Sequence, residues 1–413
     1  MRILLVCPFF PPENKIAAVR IAKFAEHWAR AGHEVRVLTQ QSSATGLAEP
    51  SDPLLSVYRA VTPRAAPSAS TASKARASLL YRLASEAYTR ALALVWPDLF
   101  RKWGRQAVAL AKRWEWAPDV VVASVGPFSS LIAGSRLARH FRAPLVVDYR
   151  DLLSMSTYYP FGSLRRKIDG IAEKRLVKNA VLLSSVSEPL VEELRERYRL
   201  PAQVVTNGFD PKDFEQLPYD PSGRELRVTY CGWVTPRRSD PRPFLEGVRK
   251  LLDAHPEAQI EVEFYGPPPG PVFRASAELG LEKVVHYRGK VTHEESLAIQ
   301  ANSDLLLLLL WNDPGAVGVY TGKIFEYIGA RRPILMTGYE SGAPALLIRD
   351  HGLGMTSNDP EQIAEYLWLH AQEKQRTGRV SAPVENEATT LFTREAQSRL
   401  MLDAIERAVV GRS

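Results

Sequence analysis

Cysteine is nearly absent from this chain. Of 413 residues only Cys7 and Cys231 are cysteines. That excludes a disulfide scaffold, and no zinc-ligand spacing surrounds either. Each sits in an apolar, strand-like run, so both are expected to be buried free thiols in a reducing cytoplasm. Long apolar runs are missing too. "LLLLLLW" (305–311) is about a third of the ~20 residues a membrane helix needs and reads as a buried strand. The opening "MRILLVCPFFPP" lacks a small-residue cleavage site and runs straight into a helix and a strand, so no secretory signal is expected. No basic tract is interleaved with aromatics, and no nucleic-acid partner is expected. The eight histidines do not cluster, and His286 and His293 read as loop or strand-edge residues.

What is present is the composition of a globular protein, 45% apolar and 24% charged. The length is too great for one ordinary core and predicts two domains. Charge divides the same way. Residues 1–205 hold 30 Lys and Arg against 17 Asp and Glu, a net of +13; residues 206–413 hold 23 against 29, a net of −6. The basic half suits an anionic lipid surface or an anionic substrate, or is simply a solvated basic surface.

The chain opens with strand, helix and strand: "RILLVCPFF", "AAVRIAKFAEHWARAG" with Gly32 as terminator, then "HEVRVLTQ". A low-complexity loop (64–78) precedes a helical region, 79–115, punctuated by Trp96-Pro97-Asp98. Alternation then continues to "AQVVTNGFDP", and restarts at "RVTYCGW" (227–233). Turn residues cluster between, at 206–222. The expected fold is α/β: two doubly wound Rossmann-like domains facing a cleft, 1–205 and 206–385, with a C-terminal helix (386–413) returning to the first. Ligands of such sheets bind beyond the carboxyl ends of the strands.

The segment "GVYTGKIFEYIGARRPIL" (318–335) carries the densest chemistry. A helix starting near Thr321 offers unpaired N–H groups and a positive dipole end, which suits phosphate. Gly318 and Gly322 admit a close ligand. Lys323 is unfavourable for the helix alone, and a bound anion would relieve that conflict. Glu326, three residues on, can accept hydrogen bonds from two vicinal hydroxyls, as on a ribose. The competing reading is a Lys323–Glu326 surface pair, or Glu326 paired with Arg331 or Arg332.

"YTGKIFEYIGARRPIL" resembles the donor-site segment of family 4 retaining glycosyltransferases with the GT-B fold, in their bacterial polysaccharide and glycolipid branch. The resemblance extends over nearly the whole chain, through "FFPPENKIAAVRIAKFAEHWARAGHEVRVLT", "VVDYRD", "SSVSEPLVEEL", "VVTNGFDPKDF", "YCGWVTPRRSDPRPFLEGV" and "VVHYRGKVTHEESLAIQANSDLLL". Single motifs are weak; their order and spacing together are specific. The resemblance implies that Glu326 binds the ribose of a nucleotide sugar. It implies that Tyr320, Thr321, Gly322 and Lys323 meet the diphosphate, with Arg238 and its neighbour Arg237, and that Gly318 lies on the donor-sugar side. Gly289, Lys290 and Val291 are then expected at the base. Arg150 and Asp151 are expected at the active site. Lys15, Gly126, Pro127 and Phe128 are expected on the acceptor side, where Gly126–Phe128 also reads as a plain strand-to-helix turn.

Three positions depart from the family pattern. Gly318 stands where a paired glutamate is usual, Trp233 replaces an arginine, and Lys15-Ile16-Ala17-Ala18 replaces loop glycines. No Asp-x-Asp motif occurs, so neither metal nor cofactor is expected, and Arg238, Lys323 and the helix dipole would neutralise the diphosphate. The expected activity is metal-independent transfer of a hexose or related sugar to a saccharide, lipid-linked or other small acceptor. A nucleotide-sugar 2-epimerase and a non-catalytic nucleotide-sugar-binding subunit are the alternatives. Basic and apolar residues of 74–113, among them Trp96, Leu99, Phe100 and Trp103, suggest peripheral contact with the inner face of an anionic membrane, or else core.

Overall fold

In the computed structural model the described residues are 1–13, 16–41, 52–60, 95–215, 217, 219, 223–235, 238–383 and 387–411. They form two α/β units, 1–205 with 398–413, and 206–397.

In unit 1 the strands are β1 (Arg2–Val6), β2 (Glu34–Gln40), β3 (Leu55–Ala60), β4 (Val120–Val125), β5 (Leu145–Tyr149), β6 (Ala180–Ser185) and β7 (Ala202–Val204). They pair in parallel in the order β3-β2-β1-β4-β5-β6-β7. The helices are α1 (Ile16–Arg30), α2 (Arg101–Ala111), α3 (Phe128–Phe141), α4 (Ser163–Val177) and α5 (Glu188–Tyr198). Side-chain alternation along β1 serves two cores at once. Leu4 and Val6 join Trp103 and Leu131 on one face, while Ile3 and Leu5 join Trp28, Met401 and Ile405 on the other. With both faces covered, the strands read as unbroken apolar runs.

Unit 2 contains β8 (Leu226–Cys231), β9 (Ile260–Tyr265), β10 (Val285–Gly289), β11 (Leu305–Leu309), β12 (Ile334–Thr337) and β13 (Gly354–Thr356). Their order is β10-β9-β8-β11-β12-β13, again all parallel. Its helices are α6 (Arg242–Ala254), α7 (Gly270–Glu278), α8 (His293–Ala301), α9 (Gly322–Ala330), α10 (Ala343–Asp350), α11 (Pro360–Thr377) and α12 (Ala388–Leu391). The last helix, α13 (Arg394–Val410), belongs to unit 1 from Ser398 onward. There Trp28 Nε1 donates to the Ser398 carbonyl at 2.8 Å. The segment before it stays with unit 2, because Ala388 is buried with Phe325 and Ile328, and Phe209 N–H donates to Phe392 O at 3.1 Å. The division therefore falls at 397/398 rather than at the expected 386.

Strand order reverses between β1 and β4, and again between β8 and β11. These are the two points where a doubly wound sheet opens a crevice at its carboxyl edge. Much of the expected helical region 79–115 lies outside the described residues; of the rest, only 101–111 is helix. Trp103 on that helix is fully buried, which removes it from any exposed docking face.

Candidate functional site

At the β8/β11 reversal the chain leaves β8 through Gly232, whose φ is +137°. A Cβ there would lie 2.3 Å from Lys323 Cε and 2.5 Å from its Nζ, so the lysine can cross only because the position is glycine. Gly266, at the end of β9, is as constrained: a Cβ would meet the Gly232 carbonyl oxygen at 2.3 Å. Lys323 Nζ donates to Tyr230 Oη at 2.9 Å and lies 4.4 Å from that ring's centroid. Tyr230 Oη in turn donates to the Trp233 carbonyl at 3.0 Å.

Lys323 belongs to the first turn of α9. That turn holds no acidic residue, and Thr321 makes no side-chain cap. The amides and the positive dipole end therefore lack the carboxylate or hydroxyl that usually meets them. One turn along, Glu326 is half-buried. Gln300, fully buried on α8, donates through Nε2 to Glu326 Oε2 at 3.1 Å and to Ser296 Oγ at 3.0 Å. Cys231 lies in the same cluster. Burial pushes its thiol up to about 12, with Glu326 adding to the shift against Ser296 and Lys323, so it is no nucleophile at neutral pH. Arg238 is exposed and stacks its guanidinium over Trp311, 4.2 Å from the ring centroid. Arg242 is engaged elsewhere, with Glu278 and Glu246.

The other expected donor contacts are more scattered. Gly318 is buried. Tyr320 turns inward: its hydroxyl donates to Ala343 O at 3.3 Å, its ring meets Phe325 at 5.5 Å, and burial raises its phenol. What Tyr320 can offer a ligand is its main chain. Gly289 ends β10 with φ +93°, two strands from the reversal point. Lys290 is exposed and Val291 half-buried, and a Thr292–Glu295 capping box holds the segment that follows. Arg237 and Lys15 lie outside the described residues.

Unit 1 differs one strand from its own reversal point. The carboxylate of Asp148, on β5, is fully buried and takes both Nε (3.3 Å) and Nη2 (2.9 Å) of Arg20. Ser124 and Ser184, its register partners on β4 and β6, donate from either side at 3.1 and 2.9 Å. Burial by itself would raise this carboxyl; Arg20 and the hydroxyl of Ser184 outweigh it and hold the group below the usual range. Arg150 points Nη2 at Gly126, where a Cβ would come within 1.9 Å of that nitrogen. Its Nε is buried without a hydrogen-bond partner among the described residues. Asp151 is exposed. The start of α3 is already occupied, because Asp98 accepts from Ser129 N–H at 2.8 Å and Ser129 Oγ at 2.6 Å. Phe128 is buried beside it, Pro127 half-buried and Gly126 exposed. The turn at 126–128 is thus a strand-to-helix junction whose next amide, that of Ser129, is already taken by Asp98.

Gln300, Tyr230 and Trp311 carry no signal in their local sequence; they matter because of what the packed sheet and helices bring beside them. Among the described residues no group of three or more His, Cys, Asp or Glu side chains is placed to hold a metal ion.

Two doubly wound parallel sheets in one chain are the architecture of the GT-B fold. Residues 17–210 match the family model of the glycosyl transferase 4-like domain. No curated protein sequence matches the chain. Among solved structures it is similar to sucrose-phosphate synthase from Thermosynechococcus elongatus, at 16% identity and TM-score 0.63, covering 100% of both chains. It is also similar to Anabaena HepE in complex with UDP, at 15% identity and TM-score 0.64, over 98% of this chain and 100% of that one. A putative UDP-N-acetylglucosamine 2-epimerase from Listeria monocytogenes shares the fold at 13% identity and TM-score 0.52, over 98% and 96%.

Proposed function

We propose that the protein is a retaining glycosyltransferase that moves a sugar from a nucleoside diphosphate sugar to a saccharide, lipid-linked or other small acceptor. The observation that carries this reading is Lys323 lying over Gly232 at the uncapped start of α9, with Glu326 one turn along. A diphosphate there would satisfy the free amides and the lysine together, while Glu326, held by Gln300, would accept from the ribose hydroxyls. HepE, of similar fold, was crystallised with UDP, which agrees with such a ligand. As the bond from the anomeric carbon to the diphosphate breaks, its electron pair stays on the phosphate oxygen. The charge built there is met by Lys323, Arg238 and the helix dipole. The acceptor hydroxyl oxygen bonds to the anomeric carbon from the leaving-group face, and its proton passes to the departing phosphate. This keeps the anomeric configuration without an enzyme nucleophile. The basic first unit would hold the acceptor, with Arg150 at the edge of its sheet.

Incubation with a panel of nucleotide sugars and no acceptor tests the assignment. Slow hydrolysis to the nucleoside diphosphate is expected. Interconversion of the sugar at C2 would instead make the protein an epimerase, and binding without turnover a non-catalytic subunit. Lys323→Ala and Arg238→Ala should each weaken a nucleoside diphosphate far more than the bare nucleoside, by calorimetry. Equal losses for the two ligands would show the phosphate roles to be wrong.

A further inference from the structure

The outer face of α4 is unusual for a helix on a parallel sheet. Leu164, Ile168 and Ile171 are 72%, 47% and 56% exposed. Their spacing of four and three residues puts them on one stripe. The charges on the same helix are sorted by sign. Its two acids turn inward. Asp169 accepts from Trp96 Nε1 (2.9 Å), Tyr159 Oη (2.6 Å) and Arg165 Nε (2.9 Å), and Glu173 accepts from Tyr149 Oη (2.9 Å) and the Ser154 N–H (3.1 Å). Both are buried. The exposed charges of α4 and its C-cap are all cationic: Arg166, Lys167, Lys174, Arg175 and Lys178. At 100° per residue, Lys167, Lys174 and Lys178 flank the apolar stripe on one side and Arg175 lies on it.

We propose that α4 is a membrane-docking helix whose outer face lies on an anionic lipid bilayer. An apolar stripe with a cationic border is what an interfacial helix presents: the side chains enter the acyl boundary while the cations meet headgroup phosphates. A groove of about 880 Å³ runs beside the helix. Arg166, Lys167, Lys174 and Arg197 line it against Glu193 and Glu196, four cations to two acids, which leaves it an excess of positive charge for a headgroup. A protein partner fits less well, because a stable interface takes roughly 20–30 residues a side and this stripe offers three large apolar side chains. The inner face of α4 ties the surface to the sheet edge. Arg165 Nη2 donates to Pro97 O at 2.7 Å, and Asp98, the next residue, caps α3 beside Gly126. Docking on α4 would thus bring a membrane-borne molecule to the side of unit 1 proposed to receive the acceptor. Residues 74–94 of the stretch first expected to dock lie outside the described residues, and α4 is a separate candidate surface. Among the described residues no helix is long and apolar enough to cross a membrane.

The test is co-sedimentation of the full chain with vesicles of phosphatidylglycerol mixed into phosphatidylcholine, against phosphatidylcholine alone. Binding to the anionic vesicles only, with release as salt rises, is expected. The variant Leu164→Ser/Ile168→Ser/Ile171→Ser should lower the partition coefficient at least about tenfold. Lys167→Glu/Lys174→Glu/Lys178→Glu should lower it by a similar factor and flatten its salt dependence. Nucleoside diphosphate affinity and melting temperature, measured on the same samples, should not move, so this proposal and the sugar-transfer reading fail separately. Recovery of the unaltered protein in the supernatant with anionic vesicles at low salt would overturn docking. So would vesicle binding that survives both variants, or a dimer that the triple serine variant converts to monomer in sedimentation velocity.

Discussion

The two sheets reverse their strand order in the same way, yet their carboxyl edges are finished in opposite styles. In unit 1 the polar groups around Asp148 and the start of α3 satisfy one another: Arg20 closes on Asp148 between two serines, and Asp98 caps α3, while Arg150 Nε keeps no hydrogen-bond partner among the described residues. In unit 2 they are left short. The first turn of α9 has neither acid nor side-chain cap, and Lys323 rests on a tyrosine rather than a carboxylate. A capped helix start adds to the stability of the fold, whereas an uncapped one leaves its amides and dipole able to meet an anion.

The contrast can be broken most severely at Asp148. Asp148→Ala leaves Arg20 buried without its carboxylate and should cost unit 1 about 3–5 kcal/mol in chemical denaturation. Nucleoside diphosphate binding should stay unchanged wherever the protein is folded. The same pair sets a pH dependence. Because the folded carboxyl is held below its ordinary value, its contribution is present at and above the pH where a free aspartate ionises. It is lost as pH falls through the lower folded value. A stability profile on the acid side should therefore lose a step in the variant.

A smaller effect is expected in unit 2, and on binding rather than folding. Glu326→Ala should weaken a nucleoside diphosphate by about 1.5–3 kcal/mol, the worth of hydrogen bonds to a charged group, and Glu326→Gln by less. Unchanged affinity in a folded alanine variant would remove the ribose role.

Gly232→Ala sharpens the comparison further. The methyl group must displace Lys323 and sit at φ +137°, a cost of about 1–3 kcal/mol. Diphosphate affinity should fall with it, while the bare nucleoside binds nearly as before. If thermal melting shifts but both affinities hold, the glycine serves the turn alone.

The alternation of strands and helices could be read locally, because burial on both faces makes each central strand a continuous apolar run and each helix a periodic one. The α9 site was legible for the same reason: its glycines, lysine and glutamate lie within one turn or two of each other. The edge strands β3 and β13 were not. They are short and partly exposed, and neither shows a full apolar run. The burial of Trp103 was equally open from local spacing, since basic and apolar residues alternate around it in a way that suits core or membrane. Arg20 and Asp148 are 128 residues apart, and Gln300 and Glu326 lie on different helices. Whether Lys323 finds a carboxylate or an aromatic ring, whether the start of α3 is open or capped, and which face of α4 meets water all depend on strand order and register. Chain-local patterning states which side chains must be buried; only the packed sheets decide which of them meet.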